Sequence, residues 1–456
     1  MSQFSIVCRV AISVLALAIV APIEAQDATN PPAQFALKFG VGHTDNVAFD
    51  STEIAAPIVT VGTIFDVVRN SPRIAAYLVG DVDYRHYDTN AVIDADEIVG
   101  SVDGNVTFQL VPRLFEWMVQ ENFGQTRTNP LRTASVGNRE RTAIFSTGPR
   151  LNVPIGSRNI LKIGLSRAER RFEDSTQYNG EVDSTNVAWV HAVSAMAAVQ
   201  VVVDDSEMDF RSNSPGYEFR TVSAGYIARL PSGSIELRGG RGEIVIASKS
   251  DPTTVGRLVW NRTLGARSSM SLWAARELTD TGETFRLDSQ PAATVGSPET
   301  IFGDAVSTRE RLADVFGANG RRLRDARPSR DPFKRSSVGV RFELVGLHST
   351  LAFTGESARD RYESSDVLNN DTTSTGITFD REFGTRWRGD LGLTFVKEDY
   401  LAGNNDGDDI FSRLIFSRGI GRLSTLSFGL EKNQQRRQLD FDETVYTVSL
   451  RHSILQ

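Results

Sequence analysis

Apolar and polar residues alternate along most of the chain with a period of two. In the segment 73–87, for example, Leu78 and Val82 fall on one face while Asp81 and Asp83 fall on the other. Neighbouring residues of a β-strand point to opposite sides, so such a strand needs lipid or a core on one side and water on the other. The same period recurs in 35–41, 59–67, 102–110, 161–165, 338–344, 391–395 and 446–454. This pattern predicts an all-β protein.

The connections between these segments alternate between short and long. The short ones contain turn-forming residues and lie at 70–72, 111–113, 156–158, 231–233, 265–268, 345–348 and 419–421. The long ones are polar and lie at 42–57, 87–97, 126–141, 172–182, 210–218, 279–335, 363–371, 400–409 and 434–443. Short periplasmic turns and long external loops are typical of outer-membrane barrels. The spacing predicts a transmembrane antiparallel β-barrel of about 20 strands, within a range of roughly 16–22.

One uncharged apolar stretch, 187–203, resembles a membrane helix in composition. Its first half alternates between larger and smaller residues, and its end is β-branched, which favours strands. A helix of this length would also be marginal for crossing a bilayer. We therefore interpret the stretch as a hairpin that turns near Ala195.

The N-terminus has the layout of a secretory signal peptide. Arg9 precedes an uninterrupted apolar run, 10–20, which Pro22 terminates before a small residue at Ala25. The run is too short for a transmembrane helix. The sequence predicts a signal peptide at 1–25 and a mature barrel at 26–456. The only cysteine, Cys8, would leave with the signal peptide, so the mature chain would contain no thiol.

Composition narrows the functional classes. Glycine (37) and phenylalanine (25) are abundant, histidine is scarce (5), and the net charge of −7 is too mild to suggest a nucleic-acid partner. A soluble propeller or sandwich is the alternative all-β architecture. We find no repeat of about 20–50 residues that would indicate a propeller, and alternating loop lengths have no cause in a soluble sandwich. Aromatic residues near the expected strand ends, as in an interfacial girdle, are Tyr84, Tyr87, Trp117, Phe123, Trp189, Trp260 and Trp387.

Several segments resemble one family of barrels. They are GVGHTDNV (40–47), NRERTAIFSTGPRL (138–151), LKIGLSRAERRFEDS (161–175) and DPFKRSSVGVRF (331–342). They resemble the outer-membrane β-barrel family associated with PEP-CTERM/exosortase systems. The resemblance implies a role beside exopolysaccharide synthesis and export. The chain departs from the usual aromatic C-terminal residue of outer-membrane barrels, because it ends in Gln456.

Motifs for catalysis or metal binding are weak. The five histidines have no paired ligand spacing. His86 lies among acids, which would allow an Asp/His hydrolase, but the alternation places it at the end of the lipid-facing row, where an amphipathic ring belongs. The loop sequence GNNDGDD (403–409) has oxygen ligands for Ca²⁺ but lacks EF-hand spacing, so we interpret it as a solvated acidic loop. The sequence predicts no enzyme activity, no cofactor and no metal site.

The longest loop, 279–335, has its own folding signal. Ser307 and Glu310 have the spacing of a capping box, an apolar stripe follows at helical spacing, and Gly317 would end the helix. A short helix is therefore expected. The arginines that follow it suit carboxylate or phosphate groups, and the candidates for a constriction or an anion site are Arg321, Arg322, Arg324, Arg327 and Arg330. They would bind anionic sugar or lipopolysaccharide, or they would simply be solvated.

Taken together, the sequence predicts a porin-like conduit for solutes or exopolysaccharide in the outer membrane of a Gram-negative bacterium. The alternative is a non-conducting structural or adhesive barrel. A barrel of about 20 strands encloses a lumen too wide for side chains to fill. The candidate lumen-lining residues are Arg73, Asp81, Asp83, Arg85, Arg238 and Arg341. The expected partners are outer-membrane lipid, lipopolysaccharide, the barrel assembly machinery and exopolysaccharide.

Overall fold

A computed structural model describes residues 34–48, 53–89, 96–129, 138–212, 214–283, 329–402, 406–436 and 440–455. The expected signal peptide at 1–25 and the expected helix after Ser307 lie outside these residues. The helices with defined bounds in the described part are the 3-10 turns Thr176–Tyr178 and Asp366–Leu368. No helix of the described part is long and apolar enough to cross a membrane.

Twenty strands make up nearly all of the described chain. They are β1 (Gln34–Thr44), β2 (Ala56–Asn70), β3 (Ile74–Tyr87), β4 (Glu97–Val111), β5 (Phe115–Arg127), β6 (Arg139–Ile155), β7 (Asn159–Phe172), β8 (Gly180–Ser194), β9 (Ala197–Phe210), β10 (Tyr217–Leu230), β11 (Gly233–Ile246), β12 (Lys249–Gly265), β13 (Ser268–Thr279), β14 (Phe333–Val345), β15 (Ser349–Tyr362), β16 (Asn370–Phe383), β17 (Trp387–Tyr400), β18 (Gly407–Ile420), β19 (Ser424–Arg436) and β20 (Phe441–Leu455).

The strands form one closed antiparallel barrel. Each strand pairs with its neighbours in sequence, and β1 pairs with β20, for example Leu37 with His452 and Thr44 with Val445. Closure satisfies the backbone groups that an open sheet would leave at its edges. The predicted fold class and strand number are therefore confirmed, and so is the hairpin, which turns between Ser194 and Ala197.

The two ends of the barrel differ in their connections. One end, called the turn end below, carries the short connections; the other, the loop end, carries the long ones. One tight turn at the loop end was not predicted from the sequence: Ala247 and Ser248 join β11 to β12 with φ of 47° and 69°. Two-residue hairpins need such positive φ values and usually use glycine or asparagine for them. Because neither is present, the turn left no signal in the sequence.

The two faces of the wall differ in polarity. Residues that pair across antiparallel strands share a face, so the register assigns each row. Val61 and Tyr84 pair on the outer face and are exposed, whereas Asp83 on the inner face is buried. Exposed apolar residues of the outer rows include Phe39, Leu165, Trp189, Val222, Val338, Phe353, Leu393, Phe428 and Val448. The barrel is thus apolar outside and polar inside.

Two glycines accommodate aromatic rings that lie flat on the wall. On the outer face, a Cβ at Gly80 would lie 2.2 Å from the ring of its pair partner Phe65. On the inner face, a Cβ at Gly339 would lie 2.1 Å from the ring of its partner Trp273. A side chain at either glycine would displace the ring, so glycine is favoured at both positions.

Candidate functional site in the barrel lumen

The inner rows of the wall are rich in charged side chains. By register the inner-row carboxylates include Asp66, Asp81, Asp83, Glu97, Asp103, Glu116, Glu140, Asp204, Glu236, Glu277, Glu343, Glu356, Asp360, Asp380, Glu382, Asp390, Glu398, Asp409, Glu431 and Glu443. It assigns cations at Lys38, Arg85, Arg150, Lys162, Arg170, Arg229, Arg238, Arg257, Arg335, Arg341, Arg388, Arg413 and Arg451. Both signs are interspersed along the lumen, and carboxylates are in excess.

Three of the residues singled out in the sequence share one cluster. Asp81 and Asp83 flank the ammonium of Lys38, whose Nζ lies 3.1 Å from Asp81 Oδ1 and 2.7 Å from Asp83 Oδ2. Arg85 Nη1 lies 3.8 Å from Glu97 Oε1 on the adjacent strand. Each charge of this cluster along β1, β3 and β4 has at least one neighbour of opposite sign, which allows it to be buried.

The other singled-out residues occupy separate positions. Arg238 donates to Asp204 Oδ2 (2.7 Å) on the inner face of β9. Arg341 donates to Glu343 Oε2 (3.2 Å) along its own strand. Arg73 lies in the turn before β3 and is exposed at the turn end. The structure therefore places Asp81, Asp83, Arg85, Arg238 and Arg341 on the inner wall and Arg73 at its rim.

Near the loop end, the barrel wall divides at two places. The ladder between β4 and β5 ends at the pair Val102 and Phe123, although β5 and β6 remain paired as far as Arg127. The ladder between β12 and β13 ends at Gly256 and Arg276. We call these breaks seams. Above the seams the barrel consists of two walls. One wall contains β5–β12 and the other contains β13–β20 together with β1–β4, and no described backbone ladder joins the two.

Side chains connect the two walls instead. Across the first seam, Gln125 Nε2 donates to the carbonyl oxygen of Ile98 (3.0 Å), and Arg139 Nη1 lies 3.3 Å from Glu97 Oε2. Across the second seam, the ammonium of Lys334 pairs with the carboxylate of a β12 residue, Asp251. Contacts of this kind are weaker and more adjustable than a backbone ladder.

One ion pair crosses the lumen itself. Arg127 Nη2, at the end of β5, lies 3.3 Å from Glu398 Oε1 on β17, and Tyr400 donates a hydrogen bond to the other oxygen of Glu398 (3.3 Å). A circular 20-stranded barrel would be roughly 40 Å across, given the strand spacing and tilt. The two extended side chains with their hydrogen bond span only roughly 15 Å. The β5–β6 hairpin therefore leans across the mouth and narrows it.

A second pair fixes the start of the long β13–β14 connection. Arg170 on β7 makes two bonds to Asp280, from Nη1 to Oδ1 (2.6 Å) and from Nη2 to Oδ2 (3.1 Å). The two side chains are only 8% and 4% exposed. Burial by itself would raise the pKa of Asp280, but the Arg170 guanidinium and the N–H of Glu283 hold it below its ordinary value. The carboxylate is therefore charged at neutral pH.

An apolar cluster lies inside the mouth. Val47, which follows β1, packs with Ile58, Tyr87 and Val445 on the inner face, and Ile54 contacts the same group. The described parts of the β1–β2 connection thus fold inward over the strand ends. This folding narrows the mouth further.

The arginine-rich segment lies mostly outside the described residues. This applies to Arg321, Arg322, Arg324 and Arg327. Arg330 is described and exposed, with its guanidinium carbon 5.9 Å from the ring centre of Tyr178 in another loop. It therefore contacts a neighbouring loop at the rim.

His86 lies on the outer face at the loop end of β3. Its Nδ1 is 2.9 Å from Asp96 Oδ1, and Tyr84 donates to the other oxygen of Asp96 (2.8 Å). Desolvation by itself would raise the pKa of Asp96, but these hydrogen bonds outweigh it and hold the pKa below its ordinary value. Within the described ranges, no group of three or more histidine, cysteine, aspartate or glutamate side chains could hold a metal ion.

The residues that bridge the lumen were not predicted from the sequence. Arg127 and the segment before Thr142 were assigned to a long loop, although β5 and β6 extend into it. Asp280 was also placed in a loop, where it does lie. No local signal could have revealed that Arg127 pairs with Glu398, because the two are more than 100 positions apart in the chain. The same holds for Asp280 and its partner Arg170.

No protein-family model matches the sequence, and no curated protein matches it either. Three solved structures are similar to this chain over most of its length. A ferric enterobactin receptor (PfeA) mutant from Pseudomonas aeruginosa matches 92% of this chain and 80% of its own at 10% identity, with a TM-score of 0.44. The FrpB iron transporter from Neisseria meningitidis matches 93% and 82% at 7% identity, with a TM-score of 0.43. OccAB4 from Acinetobacter baumannii matches 94% and 100% at 8% identity, with a TM-score of 0.37. Similarities at this level indicate neither a common ligand nor a common activity.

Proposed function

We propose that this chain is a β-barrel of the Gram-negative outer membrane that forms a porin-like conduit. The observation that carries the proposal is the contrast between the two faces of one closed wall. The outer rows expose apolar residues such as Val222 and Leu393, whereas the inner rows hold charged residues such as Asp83 and Arg238. A closed barrel with this pattern is stable in lipid and holds water inside.

The outer rows also support an orientation. Toward the loop end they change from apolar to charged, as in β8, where Val187 and Trp189 give way to Thr185, Asp183 and then Glu181. Charged side chains are excluded from the hydrocarbon and tolerated at its boundary. We therefore place the loop end outside the cell and the turn end in the periplasm.

The interior supports a conduit with a restricted outer mouth. Side chains cannot fill a barrel of 20 strands, and the inner rows offer hydrogen-bonding groups along its length. At the outer mouth, the pair Arg127 and Glu398 narrows the opening. A passage of this kind favours small hydrophilic solutes or a single extended polymer chain over folded proteins.

We propose exopolysaccharide as the cargo on the strength of the sequence resemblance to barrels of PEP-CTERM/exosortase systems. Carboxylates and guanidinium groups along the lumen would exchange hydrogen bonds with sugar hydroxyls as a chain moves through. The alternative is a non-conducting structural barrel. The inward-folded β1–β2 connection around Val47 favours that alternative, because it occupies part of the mouth.

Membrane placement is tested by fractionation. We expect the protein in the outer-membrane fraction, with an electrophoretic mobility that changes on heating, because a closed barrel resists detergent until it is boiled. The heat-treated sample serves as the unfolded control. Recovery of the protein in the soluble periplasmic fraction would contradict the proposal.

The narrowed mouth is tested by removing the bridge. The substitution Arg127→Ala should increase single-channel conductance in planar bilayers, because it removes both the side chain that crosses the lumen and its charge. Arg220→Ala is a suitable control, since Arg220 lies on the outer face among carboxylates. If both variants conduct like the wild type, the bridge does not restrict the passage.

A further inference from the structure

Three arginines lie close together at the turn end of β16–β18. Arg386 is in the short turn that joins β16 to β17, Arg381 precedes this turn on β16, and Arg418 is on the neighbouring strand β18. All three residues are exposed. We call Arg381, Arg386 and Arg418 the basic turn cluster.

Two arginines of the basic turn cluster lie on the outer face of the wall. Leu393 belongs to an outer row of β17, and Trp387 lies an even number of residues before it on the same strand, so Trp387 also faces outward. Trp387 pairs with Phe383 on one side and with Arg418 on the other. These partners therefore share the outer face. Arg381 lies two residues before Phe383 and points to the same side.

Aromatic rings support the two outward guanidinium groups. The Cζ of Arg381 lies 5.3 Å from the ring centre of Phe383, and the Cζ of Arg418 lies 5.1 Å from the ring centre of Trp387. Because Phe383 and Trp387 are direct cross-strand partners, the two cations lie over neighbouring rings. A guanidinium that contacts a ring through its face keeps the N–H groups at its edge for a further partner.

No described carboxylate neutralises the basic turn cluster. Its three side chains make no hydrogen bond or ion pair with any residue that the structure describes. Asp380 and Asp390, which lie on the same strands as the cluster and its rings, point into the lumen and contact Arg388 there. The cluster thus presents N–H donors that are available to an anion outside the barrel.

The outer wall beside the basic turn cluster is apolar toward the middle of the barrel. Leu391 pairs with Phe379 and with Leu414 in one outer row, and Leu393 pairs with Ile377 in the next. Leu391 and Leu393 are 48% and 45% exposed. A molecule with a phosphate on the arginines can therefore lay an acyl chain along these rows. That combination of groups is the chemistry of a phospholipid.

The depth of the basic turn cluster fits a headgroup of the periplasmic leaflet. In the orientation proposed above, the turn end faces the periplasm. Aromatic rings at a strand end, such as Trp387, belong to the interfacial girdle of an outer-membrane barrel. Guanidinium groups that lie over these rings are at the same depth, where anionic headgroups attract cationic side chains.

We propose that the basic turn cluster binds the phosphate of an anionic phospholipid, such as phosphatidylglycerol, in the periplasmic leaflet. Arg381 and Arg418 bind the phosphate oxygens in bidentate fashion, and Arg386 adds a third positive charge from the turn. The inference rests on the membrane orientation proposed above, but it does not require the lumen to conduct. Bound lipid would fix the height of this sector of the barrel in the membrane.

The test measures the binding of fluorescently labelled phosphatidylglycerol to the purified, folded protein in neutral detergent micelles. In the triple variant Arg381→Gln/Arg386→Gln/Arg418→Gln, the affinity should fall by at least about tenfold, because three cationic side chains no longer attract the anionic headgroup. Heat-modifiable mobility of the variant shows that its barrel is still closed. Unchanged affinity in this variant would overturn the site.

The matched control removes the same charge from the same end of the barrel. Arg73, Arg113 and Arg158 lie in three separate turns, are exposed, and make no side-chain hydrogen bond or ion pair with any described residue. The variant Arg73→Gln/Arg113→Gln/Arg158→Gln should bind phosphatidylglycerol like the wild type. An equal loss in both triple variants would mean that the overall charge of the turn end, rather than the cluster, attracts the lipid.

Competition identifies the source of the phosphate. Unlabelled phosphatidylglycerol should displace the probe, whereas phosphatidylcholine and inorganic phosphate should displace it only at much higher concentration. Equal competition by phosphatidylcholine would contradict the preference for an anionic headgroup, and equal competition by lipopolysaccharide would contradict the assignment to the periplasmic leaflet. Absence of the wild-type protein from the outer membrane would overturn the placement instead, whatever the binding measurements give.

Discussion

Replacing Asp280 by alanine should lower the free energy of unfolding by about 3–5 kcal/mol. The substitution leaves the buried guanidinium of Arg170 without its bidentate partner, at a site where both side chains are almost fully excluded from solvent. A buried charge that loses its counterion keeps its desolvation cost. The effect is measured by denaturant unfolding of the reconstituted barrel, with the slope of the transition checked for a change in compactness.

Two variants distinguish this mechanism from general damage. Asp399→Ala breaks an exposed pair with Lys397 (2.7 Å) and should cost less than about 1 kcal/mol. The double variant Arg170→Met/Asp280→Leu removes both charges and should recover most of the loss. If Asp280→Ala costs no more than Asp399→Ala, the pair does not stabilise the mouth.

The pH dependence of the same pair has a definite sign. Because the pKa of Asp280 in the folded protein lies below the ordinary 3.8, the pair stabilises the folded state above that pH. Its contribution should be lost as the pH falls below about 4 and the carboxylate takes up a proton. Asp280→Ala should therefore lower the stability at neutral pH more than at acidic pH.

Replacing Leu393 by arginine should destabilise the barrel by about 2–4 kcal/mol, the range for a cation on the lipid face near the middle of the membrane. Leu393 lies at the middle of β17, pairs with Ile377 and Ser412 on the outer face, and is 45% exposed. The substitution would place a guanidinium in hydrocarbon. Folding into lipid vesicles, followed by denaturant titration, measures the change.

The matched control places the same charge on the other face of the wall. Thr378, next to Ile377 on β16, points into the lumen between the small residues Ala352 and Gly392. Thr378→Arg should cost less than Leu393→Arg, because the inner face already carries the charged side chains of the nearby pair Asp380 and Asp390. Equal costs for the two arginines would mean that the faces are reversed or that the wall does not stand in lipid.

Most of the architecture could be predicted from the sequence, because its determinants are local. The two-residue period assigns faces such as those of Leu78 and Asp81 without knowledge of the partner strand, and loop lengths assign the two ends. The turn at Ala247 and Ser248 was not predicted, because its residues are not typical of tight hairpins. The ends of β5 and β6 were not predicted, because a polar strand beyond the apolar outer rows looks like a loop in sequence.

The arrangement of the lumen could be predicted only in part. Alternation indicates that Asp83 and Arg238 point inward, but it contains no information about which strands face each other across the barrel. The pair of Arg127 with Glu398 depends on the point at which the β4–β5 ladder ends and on the lean of a hairpin. Such features follow from tertiary geometry rather than from local pattern.

The central claim, that the barrel encloses a water-filled passage, is tested most directly by single-channel recording of the wild-type protein in planar bilayers. We expect discrete conductance steps that scale with the salt concentration, because ions would cross a hydrated lumen lined by charged side chains. A protein that inserts fully folded, as shown by heat-modifiable mobility, and yet remains electrically silent in both the wild type and Arg127→Ala would contradict it.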